Sequence, residues 1–294
     1  MKVGFIGLGL MGAGMAKNLV EKGFSVTTMA HRNREPLERL VALGASEAAD
    51  PRAVAEASDV VLLCVTGSPQ VEECVFAENG ILAGARPGLI VIDCSTSLPA
   101  SSTKVAAALA EAGCAYLDAP LTRTPIEAEK GTLNCIVGGP AETFAKVEPV
   151  LQAFCENIFH VGAVGSGHTL KLINNFMAMS HVVVTAEAFA ACRAADIDPK
   201  MLYDLISAGG VNSGLFQLIA GGAVEGDMER MKFAIGNALK DMTYFTTFAD
   251  DVSLQAAVAR AIRQDLEDAV ERGFGDRMTP SMITAQYQAN GLGE

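Results

Sequence analysis

"VGFIGLGLMGAGMAKNL", residues 3–19, decides how the first half of the chain is read. A short apolar run, 3–6, reaches Gly7-x-Gly9-x-x-Gly12 and passes straight into residues spaced for an amphipathic helix. In such a unit the first glycine permits the tight turn, the second lets a pyrophosphate approach the backbone, and the third lets helix and strand pack closely. Phosphate charge then rests on the helix N-terminus. The glycines alone are a weak signal, and the strand-turn-helix setting makes them a dinucleotide fingerprint. "MKVGFIGLGLMG" also resembles an apolar leader, but its glycine spacing and the absence of a small-residue cleavage site assign it to the fold.

Outward from this unit, β-like runs alternate with helical ones: "SVTTM" (25–29), "DVVLLCV" (59–65), "LIVIDC" (89–94), "AYLD" (115–118) and "LNCIVGG" (133–139). Near-continuous apolar strands between helices imply a parallel sheet covered on both faces, an α/β doubly wound Rossmann domain over 1–163. After "NIFHVG" (157–162) the glycine-rich "GAVGSG" (162–167) opens a long helical run to about residue 195. Further helices are expected near 199–207, 212–220, 232–250 and 255–272, so 164–294 reads as an all-α domain entered by a long interdomain helix.

The formal net charge of -12 disfavours nucleic acid and anionic membrane, which leaves a small molecule as the expected partner. Seven cysteines without a C-x-x-C pair, mostly in apolar runs, read as reduced thiols and a cytoplasmic location. Four histidines on separate segments lack metal-ligand spacing, so no metal site is expected. The apolar stretch 176–192 contains His181 and Glu187 and falls short of a clean membrane span.

Two segments carry candidate chemistry. In "GSGHTLKLINNFM", Lys171, Asn174, Asn175 and Ala178 fall at i, i+3, i+4 and i+7, a polar row on an otherwise apolar helix. It reads either as a general acid with orienting amides or as a lysine snorkelling to solvent beside two asparagines. The second expected strand ends in "MAHRNRE", where an NAD-binding domain would usually present an acid to the ribose 2′-hydroxyl. Arg32, Asn33 and Arg34 stand there instead, and guanidinium suits a 2′-phosphate, so NADP is preferred over NAD. The alternative is a solvated loop whose Glu35 curls back to the ribose.

These residues, with "DCST" (93–96), "LDAP" (117–120), "GTL" (131–133), "GxGxxxKxxNN" (165–175) and "KD" (240–241), resemble the β-hydroxyacid dehydrogenase family over nearly the whole chain. That family includes 3-hydroxyisobutyrate, tartronate semialdehyde and sulfolactaldehyde reductases and short relatives of 6-phosphogluconate dehydrogenase. The resemblance implies a cleft between the two domains, Lys171 as catalytic and Asn175 in support, with Asn174 toward substrate. It also implies that Leu10 and Met11 line the pyrophosphate turn, that Val65, Thr66 and Thr96 meet the cofactor, that Ser95 faces substrate and that Lys240 reaches the cofactor. Ser95 as a helix cap and Lys240–Asp241 as a surface charge pair are the competing readings.

One departure matters. Where most of the family has Ser-Gly-Gly after "DAP", this chain has Thr122-Arg123-Thr124, similar to the sulfolactaldehyde reductase branch. Arg123 is therefore expected to hold an anionic carboxylate or sulfonate head group, with Thr122 and Thr124 beside it. A surface salt bridge to Glu127 or Glu129 is the bland alternative. The implied activity is hydride transfer between NAD(P) and a short anionic 3-hydroxy acid or its sulfonate analogue, in a homodimer or homotetramer. A sulfolactaldehyde reductase specifically, an imine-reductase-like enzyme and a non-catalytic dinucleotide-binding protein are the rivals. Imine reductases resemble forms that have replaced the lysine, so Lys171 argues against that class.

Overall fold

Apolar strands that bury both faces need helices on both sides, and the chain supplies them in alternation. The structure, a computed structural model, describes residues 1–293. Among the described residues nine strands form one sheet: β1 (Lys2–Ile6), β2 (Ser25–Thr28), β3 (Ser46–Glu47), β4 (Val60–Leu63), β5 (Ile90–Asp93), β6 (Ala115–Asp118), β7 (Leu121–Thr122), β8 (Leu133–Gly138) and β9 (Cys155–Gly162). Their order is β3-β2-β1-β4-β5-β6-β8-β7, with β9 beside β8. Pairing from β3 to β6 is parallel, β8 runs antiparallel to β6 and β7, and β9 runs parallel to β8.

Alternate residues feed two cores. Val3, Phe5, Leu62, Ile92 and Leu117 enter one, and Ile6, Val61, Leu63, Val91 and Tyr116 enter the other. The chain leaves β1 for β2 on one side and returns through β4 on the other. Ligand crevices in open sheets lie at the carboxyl ends of strands at such a reversal.

Contacts divide the chain into a sheet unit, Met1–Lys171, and a helical unit from Leu172 onward. The division falls inside the helix Ser166–Ala194 rather than at the glycine joint before it, because the first turn of that helix packs with the sheet unit. In the helical unit, Met179, Val182, Ala186 and Phe189 of the long helix share a core with Ile219, Met242, Phe245, Ile262 and Leu266. These come from the helices Gly214–Glu225, Ile235–Asp251 and Ala257–Ala269, joined by Pro199–Ser207 and Met282–Ala289. Among the described residues this unit has no strand, only the isolated bridge Ala234–Met278.

Two expectations shift. Ser166–Ala194 is long and apolar enough to cross a membrane by length and composition, because the helix begins well before the apolar stretch that the sequence suggests. One face of it, including Leu172, Met179, Val182, Ala186 and Phe189, enters the helical core, while Met177 and Val184 stay exposed. Three strands lie outside the apolar runs of the sequence: β3 and β7 have two residues each, and β9 is largely exposed.

Candidate functional site

The glycine turn follows from sterics. Gly7 sits at φ 108°, and a Cβ there would lie 2.2 Å from the Cys64 carbonyl oxygen. A Cβ on Gly12 would lie 1.9 Å from the Gly7 carbonyl oxygen, so helix Gly12–Glu21 can start here only without a side chain. Gly9 is different: nothing lies within 4 Å of where its Cβ would be. Packing does not demand glycine at that position, whereas a ligand lying against the backbone would. No side chain caps the helix at Met11, and Leu10 is 75% exposed over the turn. These residues fit a dinucleotide pyrophosphate, with the helix N-terminus facing its charge.

Parallel pairing places the turns after β1, β4 and β5 side by side at the carboxyl edge of the sheet. Val65 and Thr66 follow β4, and Ser95 and Thr96 follow β5. Ser95 is buried, and its hydroxyl accepts a hydrogen bond from the Val65 N–H at 3.0 Å. Instead of standing open toward a ligand, the hydroxyl joins the two turns; it caps no helix, since Leu98 occupies that position. Thr66 is exposed and Thr96 is half-buried.

At the tip of β2, two of the three residues have partners of their own. Arg34 forms a two-pronged pair with Glu47 of β3, both contacts at 3.1 Å, with Glu38 at 3.8 Å. The Asn33 side chain accepts the Glu35 N–H at 3.0 Å and shapes a local turn. Only Arg32 is left exposed with no partner among the described residues. The acid missing from the strand tip arrives from the neighbouring strand, a pairing that no local motif announces.

In the arginine loop, the Arg123 guanidinium bonds the Thr132 carbonyl and the Glu156 carboxylate, with its side chain 33% exposed. Glu127, one of the expected salt-bridge partners, instead completes a capping box with Thr124 on helix Pro125–Lys130. The Thr124 hydroxyl bonding holds its carboxyl below the usual range. Thr122 accepts from the Asn134 side chain at 3.2 Å. Arg123 itself has φ 79°, the left-handed region that favours glycine. The loop is tied to the dinucleotide helix, because the Asn18 amide donates to the Ala128 and Glu129 carbonyls of the helix that Thr124 caps.

On the long helix Lys171 is half-buried, Asn174 exposed and Asn175 buried. In the helical unit the Asn175 amide donates to Asp241 Oδ2 at 2.5 Å, and the Asn174 amide donates to Asn175 Oδ1 at 3.1 Å. Asp241 is 2% exposed, and Lys240 Nζ stands 2.9 Å from its Oδ1 and 5.2 Å from the Tyr244 ring centre. The surface-pair reading of "KD" does not hold, because one member lies in the core. The arrangement fixes the Asn175 amide: its nitrogen faces a carboxylate and its oxygen faces Asn174.

Residues 2–162 match the family described as the NAD binding domain of 6-phosphogluconate dehydrogenase. Residues 165–285 match that described as NAD-binding of NADP-dependent 3-hydroxyisobutyrate dehydrogenase. The chain is 38% identical over 211 residues to the NAD-dependent L-serine dehydrogenase of Pseudomonas aeruginosa, covering 71% of this chain and 70% of that one. It is 34% identical over 282 residues to the L-threonate dehydrogenase of Cupriavidus necator, covering 96% and 94%. A crystal structure of 3-hydroxyisobutyrate dehydrogenase from Salmonella typhimurium superposes with TM-score 0.86 at 28% identity, covering 97% of this chain and 99% of that one. The sheet unit with its glycine turn, the helical unit and both matched segments agree: the chain belongs to the 3-hydroxyisobutyrate dehydrogenase-like family of the 6-phosphogluconate dehydrogenase superfamily, NAD(P)-dependent oxidoreductases that act on CH–OH groups.

Proposed function

We propose that the chain interconverts a short anionic 3-hydroxy acid and its aldehyde or semialdehyde, with Lys171 as the general acid and base. The observation that carries this reading is the polar row of the long helix, where Asn175 is buried and oriented by Asp241 one turn beyond Lys171. Bound NAD(P) would take or give the hydride. Lys171 would protonate the forming alkoxide in reduction and take the hydroxyl proton in oxidation. A non-catalytic or imine-reductase-like role would leave the lysine and its buried amide neighbour without a task.

NADP is our preferred cofactor, resting on Arg32; the engagement of Arg34 with Glu47 weakens the second half of that argument. Arg123 is proposed to meet the anionic head group by exchanging Glu156 for it, and a sulfonate suits the same guanidinium, which keeps sulfolactaldehyde in the substrate range. The seven unbridged thiols favour a reducing, cytosolic setting. A homo-oligomer is supported by the exposed apolar side chains of Met177 and Val184, each 61% exposed on the long helix.

The test is a turnover panel of L-serine, L-threonate, 3-hydroxyisobutyrate and sulfolactaldehyde with NADP(H) and NAD(H). Lys171→Ala should lower kcat about 10²- to 10⁴-fold while dinucleotide binding stays near normal. Retention of more than about a tenth of wild-type turnover would make the lysine structural. Arg123→Gly should raise KM for the anionic substrate about 10- to 100-fold, the worth of a charged hydrogen bond. Its stability should change by less than about 1 kcal/mol, since relief of the left-handed backbone offsets the lost exposed pair. An unchanged KM across the panel removes Arg123 from the site.

A further inference from the structure

One buried histidine has no part in the chemistry above. His168 is 0% exposed and lies on the first turn of the long helix, one turn before Lys171. Its Nε2 is 3.1 Å from the Ser95 carbonyl oxygen, which can only accept, so Nε2 carries the proton and donates. Nδ1 lies 2.6 Å from the Ser102 hydroxyl, which also has the Leu98 carbonyl at 3.4 Å and the Tyr116 hydroxyl as partners, and in the neutral ring Nδ1 accepts from it. Both ring nitrogens thus have a partner, and the contact with the Ser95 carbonyl requires the proton on Nε2.

The backbone on either side is equally constrained. Asp118 Oδ2 accepts the His168 N–H at 2.8 Å, and its Oδ1 accepts the Gly165 N–H at 2.7 Å. Side chains at Gly138 or Gly167 would lie 2.6 to 2.8 Å from the Asp118 carboxylate, so the first turn of the helix is pressed onto the end of β6. Asp93 and Asp118 approach the ring nitrogens only to 3.9 and 4.0 Å, too far for hydrogen bonds. Asp93 is occupied by the Ser95 N–H at 2.9 Å and by the Ser97 and Tyr116 hydroxyls, both at 3.2 Å. Burial, then Asp93 and Asp118, push the Tyr116 hydroxyl well up, which keeps it a donor.

We propose that His168 is a positioning residue that holds the Lys171 helix and the Ser95 turn in a single register. The inference rests on the reading of Lys171 as the general acid. The Ser95 turn is tied onward to Val65, so the imidazole links the lysine-bearing helix to two of the three strand-end turns at the carboxyl edge. Replaced by an apolar side chain, it would leave the Ser95 carbonyl without its buried donor and the turn free to shift.

His168→Leu keeps the bulk and removes both hydrogen bonds. His168→Gln keeps an amide nitrogen able to reach the place of Nε2. On the panel substrate turned over fastest, the leucine variant should lose about 10- to 100-fold in kcat, the effect of a misplaced catalytic group, with dinucleotide Kd within about threefold of wild type. The glutamine variant should return to within about threefold of wild-type kcat. Unchanged turnover in the leucine variant overturns the proposal, and so does a glutamine variant as slow as leucine. Should the leucine variant not fold, ¹⁵N-histidine NMR of the wild type decides: a slowly exchanging proton on Nε2 supports the tether, and an unprotonated Nε2 or rapid exchange there refutes it. If Lys171→Ala proves as active as wild type while His168→Leu is slow, the general-acid reading fails and the tether stands.

Discussion

Asp93 and Asp118, buried at the ends of β5 and β6, accept backbone N–H groups on the segments they border or face: Ser95 for the first, Gly165 and His168 for the second. Asp241 and Asp265, on helices of the helical unit, each leave one carboxylate oxygen without a hydrogen bond among the described residues. Lys240 Nζ lies 2.9 Å from that oxygen of Asp241 and meets it as an ion pair. The cause is the backbone around each acid. A strand end and a helix start offer N–H groups with no partner of their own, whereas N–H groups inside a helix already serve the carbonyl four residues back. Acids on helix interiors therefore depend on side chains, here Asn175 and Gln286, and keep acceptor capacity to spare.

The strongest way to break this contrast is Asp118→Leu. It strips two donors at the start of the long helix of their charged acceptor and should cost about 3–5 kcal/mol in urea unfolding. A loss below about 1 kcal/mol would mean that water substitutes for the carboxylate and that the strand-end acids are not anchors. Asp241→Asn probes the opposite region. Stability should move by less than about 1 kcal/mol, while kcat falls about tenfold as the Asn175 amide exchanges a charged acceptor for a neutral one. The reverse pattern, lost stability with intact turnover, would place Asp241 in packing alone.

The smallest effect sharpens the comparison through pH. Burial, then the Glu187 and Asp268 charges, push the Asp265 carboxyl from 3.8 to about 6, against the opposing influence of Gln286 and Arg272. The folded chain holds this proton more tightly than the unfolded one. The resulting penalty is absent below 3.8, grows as pH rises and is complete above about 6. Asp265→Asn should thus stabilise the protein at pH 7 by about 1 kcal/mol, allowing for the solvent that reaches the group, and the gain should vanish as pH falls toward the ordinary carboxyl value. A gain independent of pH would show that it does not come from the ionisation of Asp265, and no gain would show that the acid is fully solvated.

Much of the candidate site could be read from adjacent residues. Gly7 and Gly12 are legible because steric exclusion acts over a few residues of chain, and the Lys171–Asn175 spacing because a helix repeats every turn. Arg34–Glu47 and Arg123–Glu156 were not, since each joins separate strands or loops. His168 gave no signal either: a single histidine after two glycines acquires meaning only when Asp118, Ser95 and Ser102 surround it.

By itself the sequence determined the alternation that builds a doubly wound sheet, the glycine turn for a dinucleotide, the long helix with its polar row and the family. Local sterics and periodicity are encoded in neighbouring residues, and these features need nothing else. Only the tertiary structure decided which charges are engaged, where the first turn of the long helix packs, and which acids have an oxygen outside any hydrogen bond. Those outcomes depend on which distant segments the sheet and the helical core bring into contact, and a hydrogen bond exists only once both of its ends have been placed.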